Sequence, residues 1–586
     1  MPETYSFARR QAVLVTLCLS VFLIVVDSTI VNVALPTLVR DLGATTSQLQ
    51  WIVDAYTLVF ACLLIAAGSL ADRIGRKGLL MFGLAWFGTV SLLASQTTSA
   101  GSLIALRALM GIGAACIFPS TLAILVNVFT ESRERARAIA IWAAVSGLSV
   151  ALGPVAGGFL LEHFWWGSVF MVNVPIVLVA LVAVGTLVPT SRDPHHTKFD
   201  PLGFVLSVAG TALLVYTIIE APDRGWTAAA SVIGFAGSLL LLGAFVGWEQ
   251  HSSHPMLDVR IFANARFSAA ALAISGAFFA LFGFVFMVTQ YFQFVRGYST
   301  LLAGVATVPF AAFTAATAPV SPRLVRRWGS NRVVAFGLVA MSAGFLVAAV
   351  TNADSPYLVV VLAMLGMGGG LGLVTAPATD SIMGSLPPER AGVGSAVNDT
   401  TRELGGTFGV AVVGSVFASL YGSKLVSHLA GLPIPKFALD LAKQSIGAAF
   451  AVATRAPSHA ASVRITDAAR SAFMSGFHAG ALASAAVAAV TAVAAWLFLP
   501  ARASREAGAA NLGSETMIPG DLLVDVPAAE GAQSVLGTDH VDRGRVESEA
   551  GPVAGIQLER DRGEHPERVS VPEEQHIAFG RVGAGE

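Results

Sequence analysis

The chain has 586 residues, of which 55% are apolar and only 12% are charged. An ordinary soluble domain has about 25% charged residues, so this composition excludes most soluble classes of protein. The 36 Lys and Arg residues nearly balance the 37 Asp and Glu residues, and the formal charge of -1 gives no reason to expect nucleic acid as a partner.

Runs of roughly 20 apolar residues, the length at which a helix crosses a bilayer, recur along the chain. We predict an all-α polytopic membrane protein with fourteen spans, near residues 12–33, 51–71, 78–96, 103–127, 138–160, 168–188, 202–220, 229–248, 267–290, 301–321, 332–350, 357–379, 393–418 and 473–499. The three cysteines, Cys18, Cys62 and Cys116, stand singly in such runs. We therefore expect neither a disulfide framework nor a metal site.

Basic residues fall on alternate loops. With the N-terminus inside, seventeen Lys and Arg residues lie on predicted inside segments, and three lie on short outside loops. The positive-inside rule then places both termini in the cytoplasm. We expect the membrane to be the plasma (inner) membrane. The long external loop 421–470 is the exception. Within it, residues 437–450 predict an amphipathic helix that lies on the outer membrane surface or caps the pore.

The last segment, residues 501–586, holds 16 acidic and 8 basic residues and is rich in Gly and Pro. Segments of this composition bury too little apolar surface to fold. We predict a disordered acidic cytoplasmic tail.

The loop after span 2 contains a cluster of glycines and charges: Gly68, Asp72, Arg73, Gly75, Arg76 and Lys77. Two glycines permit a tight reversal, and one carboxylate among three cations can form a breakable latch on the cytoplasmic face. A similar segment follows span 10, where Leu324, Arg327 and Gly329 correspond to Leu70, Arg73 and Gly75.

With this loop the sequence resembles the major facilitator superfamily. The resemblance implies two six-helix halves, residues 1–190 and 251–500, with spans 7 and 8 inserted in residues 191–250. It also implies a substrate site between the halves and alternating access by rocking of the halves.

Motifs in three spans resemble those of the fourteen-span drug:proton antiporter family. Span 1 carries the segment from Asp27 to Pro36, and span 4 carries Arg107 in a glycine-rich pattern. Span 5 carries a series similar to the antiporter signature: Gly147, Gly153, Pro154, Gly157 and Gly158. Helix packing is the alternative for the glycines, but Pro154 breaks a backbone hydrogen bond, so we favour a flexible bend used in alternating access.

Charged residues inside the spans carry the sharper signal, since each costs roughly 2.5 to 3.5 kcal/mol at mid-membrane and usually marks function. Asp27 and Arg107 lie deepest. Asp54 lies about three residues into span 2, where an interfacial position is the alternative. Asp399 and Glu403 are four residues apart and share a helix face. They match acidic positions in quaternary-ammonium exporters of the family, and a structural pair with the neighbouring arginine is the alternative. These five residues are the predicted proton- and substrate-coupling set.

The sequence thus predicts an exporter that exchanges inward protons for outward lipophilic, often cationic compounds, with no catalytic residues, metal or other cofactor. A carboxylate that holds either a proton or a cation couples the two ligands. Aromatic faces on span 9 attract organic cations, although most of its phenylalanines must pack or face lipid: Phe278, Phe279, Phe282, Phe284 and Phe286.

The expected partners are small lipophilic or cationic substrates, protons and membrane lipids, with no nucleic acid, and a monomer is expected. One alternative is a dedicated exporter of one endogenous metabolite, lipid or antibiotic on the same fold. Remote alternatives are a polytopic membrane enzyme or a non-transporting sensor. The only paired histidines, His195 and His196, have no acidic or cysteine cluster beside them.

Overall fold

A computed structural model describes residues 6–190, 200–252, 255–386, 391–432 and 434–501, without the side chains of residues 72, 132, 136 and 391–393. Apart from Ala501, the predicted tail 501–586 lies outside these residues. All regular elements in the described ranges are helices.

Fourteen helices in the described ranges are long and apolar enough to cross a membrane, which confirms the predicted number of spans. They are α1 (Phe7–Leu42), α2 (Thr46–Ile74), α3 (Arg76–Ser95), α4 (Ala100–Val128), α5 (Ser132–His163), α6 (Ser168–Leu187), α7 (Pro201–Arg224), α8 (Ala229–His251), α9 (Ala265–Val295), α10 (Thr300–Thr317), α11 (Ser330–Ala349), α12 (Tyr357–Met383), α13 (Ala391–His428) and α14 (His459–Phe498). The end of α9 is a π-helical turn over Tyr291–Val295.

The external loop is shorter than the predicted 421–470, because α13 extends to His428 and α14 begins at His459. The predicted single helix over 437–450 is also wrong. Two short helices occupy this region, Lys436–Gln444 and Ile446–Thr454. They are separated by Ser445, which has an extended backbone and caps the second helix by accepting a hydrogen bond from the Ala448 amide.

Two corresponding glycines mark the internal repeat. Gly75 joins α2 to α3 with φ 111°, and Gly329 precedes α11 with φ 89°. Only glycine adopts such positive φ values at little cost. The two chain reversals therefore have similar geometry, as the sequence correspondence predicts. The division into residues 1–190, 191–250 and 251–500 remains a prediction. We call residues 1–190 the N-half and residues 251–500 the C-half.

The two halves touch near the end of the bundle at which α1 ends and α2 begins. We call this the outer end, following the predicted orientation. Thr289 of α9 donates to the Asn32 carbonyl at 2.7 Å, and Gln293 donates to the Val33 carbonyl at 2.9 Å. Pro36 has no N–H, so it leaves the Asn32 carbonyl without its helical donor. The Thr289 hydroxyl takes that place, and it does so from the other half.

The external short helices also join the halves at the outer end. The Thr46 hydroxyl at the start of α2 donates to the Gln444 carbonyl at 2.8 Å. A Cβ on Gly447 would lie 2.4 Å from a methyl of Val39 on α1. On the C-half, the Tyr421 hydroxyl donates to the Ala442 carbonyl at 3.1 Å. Of the two predicted positions for this segment, the contacts favour a cap over the space between the halves.

The inserted helix α7 lies along the seam between α2 and α13. On the α2 side, Trp51 donates to Glu220 at 3.3 Å and Ser47 donates to Asp223 at 2.6 Å. On the α13 side, Ser415 donates to the Ile218 carbonyl at 2.7 Å. One inserted helix is therefore bonded to both halves.

Candidate coupling site

A fully buried ion pair joins α1 to α4. Arg107 Nη1 donates to Asp27 Oδ2 at 2.5 Å, and both side chains are 0% exposed. Arg107 Nε donates to the Ile52 carbonyl at 3.0 Å, and the Asn173 amide donates to Asp27 Oδ1 at 2.8 Å. The two deepest predicted charges are thus partners, and each has further hydrogen bonds that offset the cost of removing it from water.

Two residues that the sequence did not single out complete this cluster. The Tyr56 ring lies under the guanidinium of Arg107, with 4.2 Å between Cζ and the ring centroid, and its hydroxyl donates to the Ile24 carbonyl at 3.3 Å. Ser91 accepts a second hydrogen bond from Asn173 at 2.9 Å. Both residues stand out in the sequence as polar side chains in apolar spans. Their partners lie on other helices, so the sequence does not indicate them.

Asp54 lies inside the protein, and its depth in the membrane remains a prediction. It is the ninth residue of α2, its side chain is fully buried, and neither carboxylate oxygen has a hydrogen-bond partner. Gln50, one turn earlier, is buried in the same way with both amide atoms unpartnered. A Cβ on Gly414 of α13 would lie 1.9 Å from the Gln50 amide nitrogen. This face of α2 is therefore pressed against the other half.

Asp399 and Glu403 lie in α13 and are less enclosed. The Asp399 side chain is 14% exposed and accepts a hydrogen bond from Asn398 at 3.2 Å. Arg402 Nη1 lies 3.7 Å from Asp399 Oδ1, which is an ion pair but too long for a hydrogen bond. Glu403 is also partly exposed.

A pair of hydroxyls bridges the halves between Asp54 and Glu403. Thr407 of α13 donates to Thr57 of α2 at 3.1 Å, and both side chains are buried. Thr57 follows Asp54 by three residues and Thr407 follows Glu403 by four, so each hydroxyl lies about one helical turn from a carboxyl group. This contact was not predictable from the sequence, because it joins residues 350 positions apart.

The predicted cytoplasmic gate lies at the α2–α3 reversal. Gly75 has the positive φ that the turn requires. Arg76 donates to the Ala123 carbonyl at 3.4 Å, and Lys77 donates to the Gly185 carbonyl at 2.8 Å. Both of these acceptors belong to the N-half. Gly68 has an ordinary contact with Pro119, and the Asp72 side chain lies outside the described residues.

The glycines of α5 serve close packing. A Cβ on Gly153 would lie 1.9 Å from the Thr29 hydroxyl of α1, and one on Gly158 would lie 2.6 Å from the Thr300 carbonyl of α10. Gly157 packs on α1 in the same way, whereas nothing lies within 4 Å of a Cβ on Gly147. The α-helix continues through Pro154, whose carbonyl would lie 2.2 Å from a Cβ on Gly304. Packing thus explains three of the four glycines in this conformation, and the flexible bend remains a prediction.

The phenylalanines of α9 differ in their surroundings. Phe278 lies under the guanidinium of Arg402, with 4.6 Å between Cζ and the ring centroid. Phe284 and Phe286 are buried in packing, and Phe279 and Phe282 are partly exposed. Only Phe278 has a described contact with a cation. In the described part of the chain, no group of three His, Cys, Asp or Glu side chains could hold a metal ion.

Comparisons with known proteins agree with this architecture. The sequence model of the Major Facilitator Superfamily matches residues 17–410. The multidrug efflux pump LfrA of Mycolicibacterium smegmatis is 38% identical over 468 residues, which are 80% of this chain and 92% of that protein. The methyl viologen resistance protein SmvA of Salmonella typhimurium is 36% identical over 482 residues, which are 81% of this chain and 95% of that protein.

Among solved structures, a bacterial homologue of the human lysosomal transporter Spinster, in an inward-facing and unoccupied conformation, is similar to this chain with a TM-score of 0.60. The two share 17% sequence identity, and the match covers 85% of this chain and 99% of that one. The likeness is one of fold.

Proposed function

Since the chain belongs to the major facilitator superfamily, we propose that it is a proton-coupled efflux transporter that exports lipophilic, often cationic compounds by alternating access. One observation carries the coupling part of this proposal. Acidic side chains from both halves lie inside the helical bundle: Asp27 and Asp54 are fully buried, and Asp399 and Glu403 are partly exposed. Such groups inside a membrane are costly and mark proton or ion pathways.

Asp399 and Glu403 are the groups best placed to meet the substrate. They are partly exposed, whereas Asp27 is sealed by Arg107 and Asn173. A carboxylate that can hold a proton or a cation exchanges one for the other, because neutralisation by a proton removes the charge that binds the cation. Arg107 sets the electrostatics of Asp27.

Asp54 links protonation to closure of the outer end. Its carboxyl group has no partner where α2 presses on α13. An ionised carboxylate in such a place costs several kcal/mol. A proton on Asp54 removes that cost and favours the closed seam, and loss of the proton favours separation of α2 from α13. The direction of movement thus depends on the charge of one side chain.

The proton motive force supplies the energy, and no cofactor enters the proposal. A membrane potential of 100 mV provides roughly 2.3 kcal/mol per proton. At about 1.4 kcal/mol per tenfold, one proton sustains a gradient of about fiftyfold for a neutral substrate. The loop with Asp72, Arg73, Arg76 and Lys77 would close the inner end when the outer end opens. Both termini would lie in the cytoplasm, and the transporter would act as a monomer surrounded by membrane lipid.

The test is transport in proteoliposomes under an imposed pH gradient. We expect wild type to move a lipophilic cation against its gradient, and Asp27→Asn and Asp399→Asn to lose this coupled transport. Asp440→Asn is the matched control, since Asp440 lies on an external helix with a side chain that is 68% exposed. Size-exclusion chromatography of each purified variant separates loss of coupling from misfolding. If folded Asp27→Asn and Asp399→Asn both export as wild type does, the coupling assignment is wrong.

A second experiment separates a broad exporter from a dedicated one. Expression in a drug-sensitive host should raise tolerance to several chemically unrelated lipophilic cations. Tolerance to one compound alone would indicate a dedicated exporter on the same fold.

A further inference from the structure

Arg402 holds the position that an organic cation would take. Its guanidinium lies over the Phe278 ring at 4.6 Å and beside Asp399 at 3.7 Å. An aromatic face and a carboxylate are the groups with which proteins bind desolvated organic cations. Both groups belong to the C-half, and Glu403 follows Arg402 directly in the chain.

Arg402 is held loosely. The distance to Asp399 is beyond hydrogen-bond range, and its side chain is 31% exposed. Arg107 is the contrast within the same protein: it is 0% exposed, bonded to Asp27 at 2.5 Å and held over Tyr56 at 4.2 Å. A guanidinium with so few bonds can leave its place at little cost.

We propose that Arg402 is a tethered cation, which occupies the cation position of the transport site when substrate is absent and is displaced when a cationic substrate binds. The inference rests on the proposed efflux function, and it names the residue that determines which substrate charge the site prefers. It assigns the Phe278 face and the Asp399 carboxylate as the groups for which substrate and Arg402 compete.

The charges around the site give this role a consequence for specificity. When ionised, Asp399 and Glu403 carry two negative charges and Arg402 carries one positive charge. The Asp27–Arg107 pair adds no net charge, and neither does Asp54 while it is protonated in the closed seam. The site therefore has a net charge of about -1, which one monovalent cation balances. Without Arg402 two negative charges remain, so any cation is attracted more strongly. The gain in binding energy is twice as large for a dication as for a monocation.

The experiment measures binding of two probes to the purified full-length protein at one fixed pH, by tryptophan fluorescence. The probes are tetraphenylphosphonium, a monocation, and methyl viologen, a dication. For Arg402→Gln we expect both dissociation constants to fall, and the ratio of the methyl viologen constant to the tetraphenylphosphonium constant to fall about tenfold or more. Arg402→Lys keeps the charge but not the planar group. It should keep a ratio near that of wild type.

Arg470→Gln is the matched control, since Arg470 lies over the Phe450 ring at 5.9 Å near the outer end of α14. It should leave both constants unchanged. If folded Arg402→Gln leaves the ratio unchanged, or weakens binding of both probes, the tethered-cation role is wrong. If that variant does not fold, Phe278→Leu provides the test: it should weaken tetraphenylphosphonium binding, and unchanged binding would overturn the proposal.

Failure of this inference is distinguishable from failure of the proposed function. Binding is measured without a gradient, whereas the function is tested by transport of wild type in proteoliposomes. A wild type that transports, with an unchanged ratio in Arg402→Gln, refutes the tethered cation alone. A wild type that does not transport, with the expected change in ratio, refutes the efflux function and leaves the binding role of Arg402 in place.

Discussion

Asparagine substitutions at Asp27 and at Asp54 should differ sharply in their effect on stability, although each removes one buried carboxylate. Asp27→Asn breaks the 2.5 Å contact with Arg107 and leaves that guanidinium buried without a counter-charge. Breaking a buried ion pair in this way costs about 3 to 5 kcal/mol. At about 1.4 kcal/mol per tenfold, the ratio of folded to unfolded protein falls by roughly two to three and a half orders of magnitude.

Asp54→Asn removes no hydrogen bond, because neither oxygen of Asp54 has a partner. It also replaces a group that must be neutralised before the seam closes with one that is always neutral. The free energy of unfolding should therefore change by about 1 kcal/mol or less. The variant should nevertheless lose proton-driven export, since no charge at this position can any longer open the seam.

Thermal unfolding of the purified proteins in one detergent, followed by tryptophan fluorescence, measures the contrast. Asp440→Asn is again the control for an exposed Asp. We expect a large fall in midpoint for Asp27→Asn and a midpoint near wild type for Asp54→Asn. Equal destabilisation by the two substitutions would show that Asp54 has a partner in the folded protein. An unchanged unfolding midpoint for Asp27→Asn would show that the ion pair contributes nothing to stability.

Three further substitutions test the outer contact and the reversal between α2 and α3. Gly304→Val places a side chain against the Pro154 carbonyl, which would lie only 2.2 Å from a Cβ at this position. The variant should hold the outer end open, which is measured by the accessibility of a cysteine introduced there. Thr289→Val leaves the Asn32 carbonyl without a donor and should increase the same accessibility, whereas Thr289→Ser should restore the wild-type value. Gly75→Val forces a branched residue to φ 111° and should cost about 1 to 3 kcal/mol, seen as a lower unfolding midpoint.

The number of spans was predictable because a bilayer requires long apolar runs, and the shared face of Asp399 and Glu403 follows from their spacing. Partners were not predictable. Asp27 meets Arg107 across 80 residues and Asn173 across 146, and the spacing of residues within one helix carries no information about such contacts.

Helix ends were predicted too short, so Asp54 is the ninth residue of α2 rather than about the third of span 2. The apolar run that defined span 2 starts at Trp51, but the helix starts at Thr46. The polar residues between them are covered by protein rather than lipid: Thr46 bonds the Gln444 carbonyl, and Gln50 packs against Gly414. A search for apolar runs finds the part of a helix that lipid can cover. The run ends early where polar residues of the helix are covered by another part of the protein.

The position of α7 makes the two sides of the transporter unequal toward the bilayer. The predicted halves meet along two lateral seams, one between α2 and α13 and one between α5 and α10. At the first, Val215 and Ile219 of α7 pack with Leu58 and Ala411, so this helix screens the seam from lipid. At the second, Phe159 and Leu302 are 50% and 49% exposed on the protein surface. The seam between α5 and α10 is therefore the one that faces the bilayer directly, and the position of α7 determines which of the two seams that is.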